Sequence, residues 1–349
     1  MSFTINHRQI GIGFKPFIIA EMSGNHNKSV DKAMAIVKAA AESGADALKL
    51  QTYTPDSLTI DHRGGLFDIT DPQSLWNGRN LYELYQEAMT PYEWHKPIFE
   101  YANKLGMVCF STPFDEKAVD FLDDLGAPLH KIASFENNHH PLLKKIARTG
   151  KPVIMSTGVS SLADLTESVG ILKDNNCKEL VLLKCTSTYP ATPENTNVKT
   201  IPHMKELFQC EIGLSDHTMG VGASIAAVSL GATVIEKHFC LSRAEGGVDS
   251  AFSLEPSEFK MLVTETERAW QSLGGVQYGI QETEKKSISY KRSVYIVEDI
   301  KAGEKFNEKN IRIIRPGNGA HPRFYETIIG KKAVKDITKG TPFQFDLMQ

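Results

Sequence analysis

The sequence has few cysteines, and none is spaced for a disulfide framework or a structural zinc site. Its 349 residues include five cysteines, an odd number, and no two of them form a Cys-x-x-Cys pair. Scattered, unpaired thiols are typical of proteins in a reducing compartment. We therefore expect a cytoplasmic protein that is stabilised by its core rather than by crosslinks.

The sequence also lacks an excess of charge of one sign and any long apolar run. It has 39 basic and 42 acidic side chains, and the net charge of −3 is unlike that of a nucleic-acid-binding surface. No run approaches the roughly 18 apolar residues of a membrane span, and the first residues have no signal-peptide core. At 41% hydrophobic residues, the chain can build a large core. We expect a soluble protein that binds neither nucleic acid nor membranes.

Short apolar segments alternate with helical patterns along most of the chain. Seven of the eight segments are soon followed by a predicted helix, such as 29–43 with apolar residues spaced i, i+3, i+4 and i+7. Eight such units over about 250 residues predict a (β/α)8 TIM barrel. A doubly wound open sheet would need a Gly-x-Gly-x-x-Gly turn after its first strand, which EMSGNHN lacks. The predicted strands are 17–22, 47–51, 107–111, 129–134, 152–156, 180–185, 211–215 and 233–238.

One connection is longer than the others. About forty residues separate Gln51 from the helix predicted to begin near Pro91, and loops of this length are usually lids or binding loops. Because the connection follows the second strand, we expect it to lie over the C-terminal face of the barrel.

From residue 283 onward the pattern changes to short strands and turns. The motif Val-x-Asp-Ile-x-x-Gly occurs twice, at 297–303 and 334–340. We place a domain boundary at 282, which gives a barrel domain, 1–282, and a small β-rich domain, 283–349. A domain of about 65 residues is near the lower size limit for independent stability, so we expect it to pack against a partner surface.

Polar side chains stand at the C-terminal end of nearly every predicted strand, where the loops of a barrel form one pocket. If these positions were only part of a packed core, we would expect apolar side chains there, because burying an unpaired lysine is costly. Cations beside hydroxyl donors suit a small molecule that carries a carboxylate and a phosphate. The strand-end residues are Glu21, Asn25, Lys49, Gln51, Ser111, Thr112, Lys131, Ser134, Glu136, Ser156, Thr157, Lys184, Thr186, Ser187, Tyr189, Ser215, Asp216, His217, Glu236, Lys237 and His238.

His217 and His238 end adjacent predicted strands, so their imidazoles can meet at one metal ion. Two neutral imidazoles with oxygen ligands and water suit manganese(II) or a similar divalent ion better than structural zinc. Glu21 is the candidate acid or base at the first strand end.

Several of these residues have a structural alternative. Lys49 alternates with Leu48 and Leu50 and could instead point into the helical layer, with its ammonium group reaching solvent. The same ambiguity applies to Lys184, and Lys237 lies on the opposite face of its strand from His238, so neither lysine is assigned to the site. Either histidine alone could be structural, and Cys185 is most simply a small core residue.

At these residues the chain resembles the sialic acid synthase family, and most closely its pseudaminic acid synthase branch. The tail KRSVYIVEDIKAGE…RPGNGAHP resembles the family's antifreeze-like (SAF) domain, a small β-clip fold. The resemblance therefore implies a TIM barrel followed by a SAF domain. The matching barrel strings are AEMSGNHN, LKLQTYTPDSLT, TPYEWHKPIFE, CFSTPFDE, HKIASFENN, STGVSS, LLKCTSTYPATPENTN, GLSDHTMG, ATVIEKHF and GGVDSAFSLEP.

The resemblance implies a metal-dependent enzyme that condenses phosphoenolpyruvate with an acetamido sugar and releases phosphate by carbon–oxygen cleavage. The favoured sugar is 2,4-diacetamido-2,4,6-trideoxy-L-altrose, which would give the nine-carbon 2-keto acid pseudaminate. Ser187 and Lys184 support this choice, because the neuraminate branch tends to carry Asn and His there. The implied metal is Mn2+, with Mg2+ or Co2+ as alternatives, and its ligands are His217 and His238.

The resemblance also assigns roles to individual residues. Arg315, in RPGNG, matches an arginine that a domain-swapped tail delivers into the barrel of the partner subunit, so a homodimer is implied. The implied catalytic residues are Glu21, Gln51, His217 and His238. The implied substrate contacts are Lys49, Thr112, Lys131, Ser134, Ser156, Ser187, Tyr189, Ser215, Asp249 and Arg315.

Other functions compete with this one. An N-acetylneuraminate or legionaminate synthase would run the same chemistry on another sugar. A deoxy-keto-sugar-phosphate synthase would share the barrel but would need an arginine-rich phosphate pocket, and the strand ends offer few arginines. A non-catalytic glycan-binding protein would leave the cations, hydroxyls and histidines at matched strand ends unexplained.

Overall fold

The computed structural model describes residues 2–349. The chain forms two compact units, Met1–Gly274 and Gly275–Gln349, so the division falls somewhat before the predicted boundary at 282. Within the described residues, no helix has both the length and the apolar character needed to cross a membrane. Each unit is described in turn.

Eight parallel strands close a barrel in the first unit, which confirms the predicted (β/α)8 fold. Each barrel strand pairs with the next along the chain, and the last pairs with the first, for example Val234 with Phe17. An antiparallel hairpin precedes the barrel. The hairpin strands are β1 (Phe3–Ile5) and β2 (Arg8–Ile10), and the barrel strands are β3 (Phe17–Glu21), β4 (Ala47–Thr52), β5 (Val108–Pro113), β6 (His130–Ile132), β7 (Val153–Ser156), β8 (Leu180–Cys185), β9 (Glu211–Asp216) and β10 (Val234–His238).

The inside of the barrel has an apolar layer below a polar one. Successive side chains of a strand point to opposite faces, so Phe17, Ile19 and Glu21 of β3 share the inner face. Phe17 and Ile19 belong to an apolar cluster that also contains Ile5 and Ile10 of the hairpin. The hairpin therefore adds to the core at the N-terminal end of the strands, and the polar layer, which begins with Glu21, lies at the C-terminal end.

Helices pack around the barrel against the outward-facing side chains of the strands. In α1, Ser29 caps the N-terminus, and the apolar residues of the predicted helix, Ala33, Ile36, Val37 and Ala40, are its buried residues. The helices of this unit are α1 (Val30–Glu42), α2 (Pro55–Leu58), α3 (Leu81–Ala88), α4 (Tyr92–Lys104), α5 (Glu116–Asp124), α6 (His140–Arg148), α7 (Leu162–Asp174), α8 (Pro193–Thr196), α9 (Thr200–Phe208), α10 (Gly222–Ser229) and α11 (Pro256–Leu273).

The long connection after β4 has more structure than the sequence predicted. It contains α2 and α3, and an isolated antiparallel bridge joins Asp68 to Asn80. Asn80 caps α3, and its side chain donates to the carbonyl oxygens of His62 and Phe67. These bonds hold the connection in a defined shape. Several of its side chains line the cavity at the C-terminal end of the barrel, as expected of a lid.

The second unit has its own apolar core around an antiparallel pair, β11 (Ser293–Ile296) and β12 (Ile311–Ile314), with one short helix, α12 (Tyr325–Ile328). The two copies of the repeated motif lie against each other. Ile300 and Ile337 exchange both backbone hydrogen bonds, at 2.9 and 2.8 Å. The repeat seen in the sequence is therefore a pair of matching segments that close one small core.

Two fully buried histidines connect the ends of the long connection to the barrel. Nδ1 of His95 lies 3.1 Å from the carbonyl oxygen of Pro91, so its Nε2 accepts from the hydroxyl of Thr52 at 2.8 Å. Nδ1 of His26 accepts from the backbone N–H of Lys28 at 3.2 Å, and its Nε2 lies 3.3 Å from the hydroxyl oxygen of Thr90 at the end of the connection. Burial lowers the pKa of each imidazole to about 4. Both rings are therefore neutral in the folded protein, and a second proton would displace a hydrogen bond in each.

We expect the free energy of unfolding to fall between pH 6.5 and pH 5. In the unfolded chain each imidazole is protonated near pH 6.5, but in the folded chain only near 4. Each neutral histidine therefore contributes fully to the free energy of unfolding above pH 6.5. About 2 kcal/mol of that contribution is lost when the pH falls to 5. Urea titrations followed by circular dichroism at pH 7 and pH 5 measure this loss. The difference in the free energy of unfolding between pH 7 and pH 5 should be smaller by about 2 kcal/mol in His95→Gln, but unchanged in the exposed control His203→Gln. An equal difference in both variants would contradict the role given to His95.

Candidate active site

A cavity of about 730 Å³ opens at the C-terminal ends of the barrel strands. Glu21 and Thr112 do not line it but contact Lys49, which does. Arg315 lies in the second unit, after β12, and is exposed. The remaining predicted site residues meet because they occupy the last inward positions of their strands or the loops that follow. They are Lys49, Gln51, Lys131, Ser134, Ser156, Ser187, Tyr189, Ser215, His217, His238 and Asp249.

Lys49 is buried between two carboxylates at the floor of the cavity. Its Nζ lies 2.7 Å from Oε2 of Glu21 and 3.5 Å from Oε1 of Glu236, and it donates to the hydroxyl of Thr112 at 3.4 Å. Burial opposes the ammonium charge, but Glu21 and Glu236 outweigh it and raise the pKa of Lys49. Gln51 donates to the other oxygen of Glu21 at 3.0 Å. Burial nevertheless raises the pKa of Glu21 against the attraction of Lys49.

Glu236 joins the two lysines of the floor. Nζ of Lys131 lies 3.5 Å from the same Glu236 oxygen, which also accepts from Ser215 at 3.2 Å. Lys131 donates to the hydroxyl of Ser156 at 2.7 Å. Burial opposes ionisation of Glu236, but Lys131 and Lys49 together lower its pKa, whereas burial lowers the pKa of Lys131. The ammonium groups of Lys49 and Lys131 therefore lie together on the floor, which suits a small anion.

Two further hydroxyls meet at Gly158, in the loop after β7. A Cβ at this glycine would lie 2.1 Å from the hydroxyl oxygen of Ser187 and 2.8 Å from that of Ser134. The backbone N–H of Gly158 donates to the Ser134 hydroxyl at 3.1 Å. Because no larger residue fits there, the glycine allows both serines to approach the same end of the cavity.

His217 and His238 lie together at the cavity wall, with ring centroids 5.4 Å apart. Nδ1 of His217 lies 3.0 Å from the carbonyl oxygen of Thr186, to which it donates, so the lone pair is on Nε2. Nδ1 of His238 is buried without a hydrogen-bond partner among the described residues and lies 3.8 Å from Asp249. Burial holds the pKa of His238 well below its usual value, so this ring is neutral.

This pair of imidazoles fits a divalent metal ion. A backbone carbonyl orients one ring and the other has an unpartnered buried nitrogen, as in imidazoles that ligate metals. Across residues 2–349, no group of three His, Cys, Asp or Glu side chains is placed to hold a metal. Water or substrate oxygens would have to complete the coordination of a metal ion at this pair.

Asp249 and Tyr189 flank the histidines. Asp249 accepts a hydrogen bond from Ser23, and burial raises its pKa. The ring centroid of Tyr189 lies 4.5 Å from that of His217 and 5.1 Å from that of Phe252. A hydrogen-bond acceptor and an aromatic face beside the two histidines suit a sugar.

Lys184 and Lys237, which the sequence analysis left out of the site, do not line the cavity. Nζ of Lys184 donates to the carbonyl oxygen of Cys185 at 2.9 Å. Lys237 is buried on the other face of β10, where its Nζ lies 2.8 Å from Asp216 and 2.5 Å from the carbonyl oxygen of Thr218. This buried pair joins the ends of β9 and β10 directly beside the two histidines.

Three lining residues were given no role by the sequence analysis. Glu236 was placed at a strand end, but its link to both lysines depends on distances across the barrel. Glu136 follows β6 in a single turn; its Oε2 has no hydrogen-bond partner in the described part of the chain, and burial raises its pKa to about 7. Cys185 is buried, as expected of a core residue, but it also lines the cavity, and its Sγ lies 4.0 Å from Nδ1 of His217. The alternation of side chains along β8 puts Cys185 and Lys184 on opposite faces of the strand. With Lys184 pointing outward, this pattern would have placed Cys185 in the cavity.

Comparison with known proteins agrees with this geometry. The NeuB family matches residues 36–278 and the SAF domain matches 291–347. The chain is 47% identical to a pseudaminic acid synthase of Campylobacter jejuni subsp. jejuni, over 93% of this chain and 94% of that protein. It is 36% identical to an N,N'-diacetyllegionaminic acid synthase of the same organism, over 92% of this chain and 97% of that protein. The fold is also similar to that of an N-acetylneuraminic acid (sialic acid) synthetase from Leptospira borgpetersenii serovar Hardjo-bovis, whose crystal structure is in complex with citrate. The TM-score is 0.73 at 30% identity, and the match covers 83% of this chain and 96% of that chain.

Proposed function

The chain belongs to the NeuB family, and from this membership we propose that it is an enzyme that makes pseudaminate and phosphate from phosphoenolpyruvate and 2,4-diacetamido-2,4,6-trideoxy-L-altrose. The observation that carries the proposal is the cavity in which a cationic floor, Lys49 and Lys131, meets the pair His217 and His238. The relative named for pseudaminic acid is 47% identical and the one named for legionaminic acid 36%, which favours the first sugar.

The floor of the cavity is proposed to bind phosphoenolpyruvate. Its carboxylate and phosphate can accept charge-assisted hydrogen bonds from the ammonium groups of Lys49 and Lys131, which both line the cavity. Within the described residues, the barrel contributes no arginine to the cavity lining, so its own side chains offer no bidentate partner for a second phosphate on the sugar. This favours an unphosphorylated acceptor over a sugar phosphate. The hydroxyl donors around the floor are Ser134, Ser156, Ser187 and Ser215.

The sugar is proposed to bind beside the histidines. His217 and His238 would hold a divalent ion, Mn2+ with Mg2+ or Co2+ as alternatives, which would polarise the aldehyde of the open-chain sugar as a Lewis acid. Asp249 and Tyr189 are placed to orient the sugar at this position. Holding two substrates in adjacent, defined positions makes a bimolecular reaction effectively unimolecular.

The proposed reaction forms one carbon–carbon bond and breaks one carbon–oxygen bond. The enol carbon of phosphoenolpyruvate bonds to C1 of the sugar, and the aldehyde oxygen takes up a proton. Water then adds to the phosphate-bearing carbon, and phosphate leaves with the bridging oxygen, so that a keto group remains. Glu21 is proposed to take up the proton of that water by way of Lys49, whose Nζ lies 2.7 Å from Glu21 and which lines the cavity.

We further propose that two chains form a domain-swapped homodimer in which Arg315 of each completes the barrel site of the other. Its support is the resemblance to the family and the exposure of apolar side chains along 273–290: Val276 and Tyr278 are each 95% exposed and Tyr290 is 69% exposed. Apolar groups exposed in this way mark interaction surfaces. We also propose a cytoplasmic location, because all five cysteines are free and buried.

A phosphate-release assay tests the reaction, the sugar and the metal together. With phosphoenolpyruvate and manganese, we expect release with the diacetamido-altrose sugar and at least about tenfold less with N-acetylmannosamine or a diacetamido hexose of other stereochemistry. A chelator should abolish the release, and added Mn2+ should restore it. Oxygen-18 in the bridging position of phosphoenolpyruvate should appear in the phosphate.

Each arm can contradict one part of the proposal. No release with any sugar in the presence of manganese would favour a non-catalytic glycan-binding protein. Faster release with another sugar would replace the acceptor and leave the chemistry in place, and release that persists in chelator would remove the metal. Label that stays in the keto acid would mean phosphorus–oxygen cleavage.

A further inference from the structure

The outer part of the cavity is walled by one stretch of chain, residues 53–88, which we call the wall segment. Most of the side chains that it contributes to the lining are apolar or aromatic, and three are polar, Asp71, Gln73 and Ser74. The apolar and aromatic ones include Leu58, Ile69, Leu75, Trp76, Leu84 and Tyr85. The segment contains basic residues, but none of its described arginine or histidine side chains lines the cavity. The wall therefore differs from the lysine floor, and it suits apolar groups of a ligand rather than a carboxylate or a phosphate.

Trp76 is the wall residue whose position relative to the site is best defined. Its Nε1 donates to the carbonyl oxygen of Val248 at 2.9 Å, immediately before Asp249. Its ring centroid lies 5.8 Å from that of Tyr189, which in turn lies 4.5 Å from His217. Trp76 is thus one aromatic ring farther from the histidine pair than Tyr189 is. A six-carbon sugar whose aldehyde lies at the histidines can reach it with its far end.

We propose that Trp76 and the apolar side chains of the wall segment bind the C4 acetamido methyl and the C6 methyl group of the acceptor and thereby determine sugar specificity. This inference rests on the proposed function, which places the aldehyde at the histidines and phosphoenolpyruvate on the floor. The far end of the sugar then faces the wall. A 2,4-diacetamido-trideoxy hexose presents methyl groups there, whereas N-acetylmannosamine presents hydroxyls. Burying methyl groups against an indole is favourable, and burying a hydroxyl without a partner is costly.

The test compares three variants of the full-length protein. Trp76→Ala should lower kcat/KM for the diacetamido sugar by about thirtyfold, because the contacts between the indole and the methyl groups of the sugar are lost. The KM for phosphoenolpyruvate should not change. Trp76→Phe keeps an aromatic surface but loses the hydrogen bond to Val248, so it should stay within about fivefold of the wild type. Leu66→Ala is the matched control, since Leu66 is in the same segment but is 95% exposed and does not line the cavity. Release with N-acetylmannosamine should change by less than about threefold in all three variants.

The outcomes separate this inference from the proposed function. If the wild type releases no phosphate with the diacetamido sugar, the proposed function fails and the inference fails with it. If the wild type is active and Trp76→Ala loses less than about threefold for that sugar, or raises the KM for phosphoenolpyruvate equally, only the wall inference is overturned. Thermal unfolding of each variant shows whether a loss of activity reflects a loss of folded protein.

Discussion

Replacing Lys131 with methionine should lower kcat/KM for phosphoenolpyruvate by about a thousandfold. The ammonium group of Lys131 is buried at the floor, 2.7 Å from the hydroxyl of Ser156 and 3.5 Å from Glu236. Without it, one of the two ammonium groups available to the anionic substrate is lost, and Glu21 and Glu236 remain beside Lys49. Methionine preserves most of the volume, so the effect reports charge rather than a cavity. A coupled phosphate-release assay over a range of phosphoenolpyruvate concentrations measures it.

The same substitution should leave the stability of the barrel almost unchanged. Removing one partner of a buried ion pair is costly when the other charge is left unpaired, but Glu236 keeps Lys49 as an ionic partner at 3.5 Å. Burial also disfavours the ammonium charge of Lys131, so its removal relieves a cost. Lys145→Met is the matched control, because Lys145 forms an exposed ion pair with Asp120. It should retain wild-type activity. Activity in Lys131→Met within tenfold of the wild type would remove this lysine from the anion site.

The barrel was predictable because its signals are local. The helix spacing of Ala33, Ile36, Val37 and Ala40 is visible within one segment, and all four are buried in α1. Helix α3 was missed because it lies inside a long connection whose shape depends on Asn80 and its distant acceptors. The repeated motif was visible in the sequence, but the pairing of its two copies through Ile300 and Ile337 is a contact across the fold.

The four strand-end lysines show how far the site itself could be predicted. Parallel barrel strands are apolar on both faces, so alternation alone does not tell which face is inward. Lys49 and Lys131 prove to face the cavity, whereas Lys184 and Lys237 do not. The role of Glu236 could not be predicted either. The sequence places this carboxylate at a strand end, but its contacts with two lysines on other strands depend on the three-dimensional structure.

The proposed dimer makes a prediction that combines two inactive chains. Arg315→Ala should lower turnover by at least about a hundredfold if the arginine completes a neighbouring site. In a swapped dimer, each site consists of the barrel of one chain and the Arg315 of the other. A heterodimer of Lys131→Met and Arg315→Ala chains then has one site with both defects and one site with neither. The intact site combines the barrel of the Arg315→Ala chain with the tail of the Lys131→Met chain.

Such a heterodimer should recover about half of the wild-type activity per dimer, because one of two symmetric sites is intact. Co-expression with two different affinity tags and purification through both isolates it, and each variant alone is the control. If Arg315 instead served its own barrel, both sites of the heterodimer would carry one defect and no activity would return. Recovery of activity therefore distinguishes exchange of the tail between chains from mere association of two complete chains. A purified heterodimer no more active than the two parent variants would refute the swap even if the particle were dimeric.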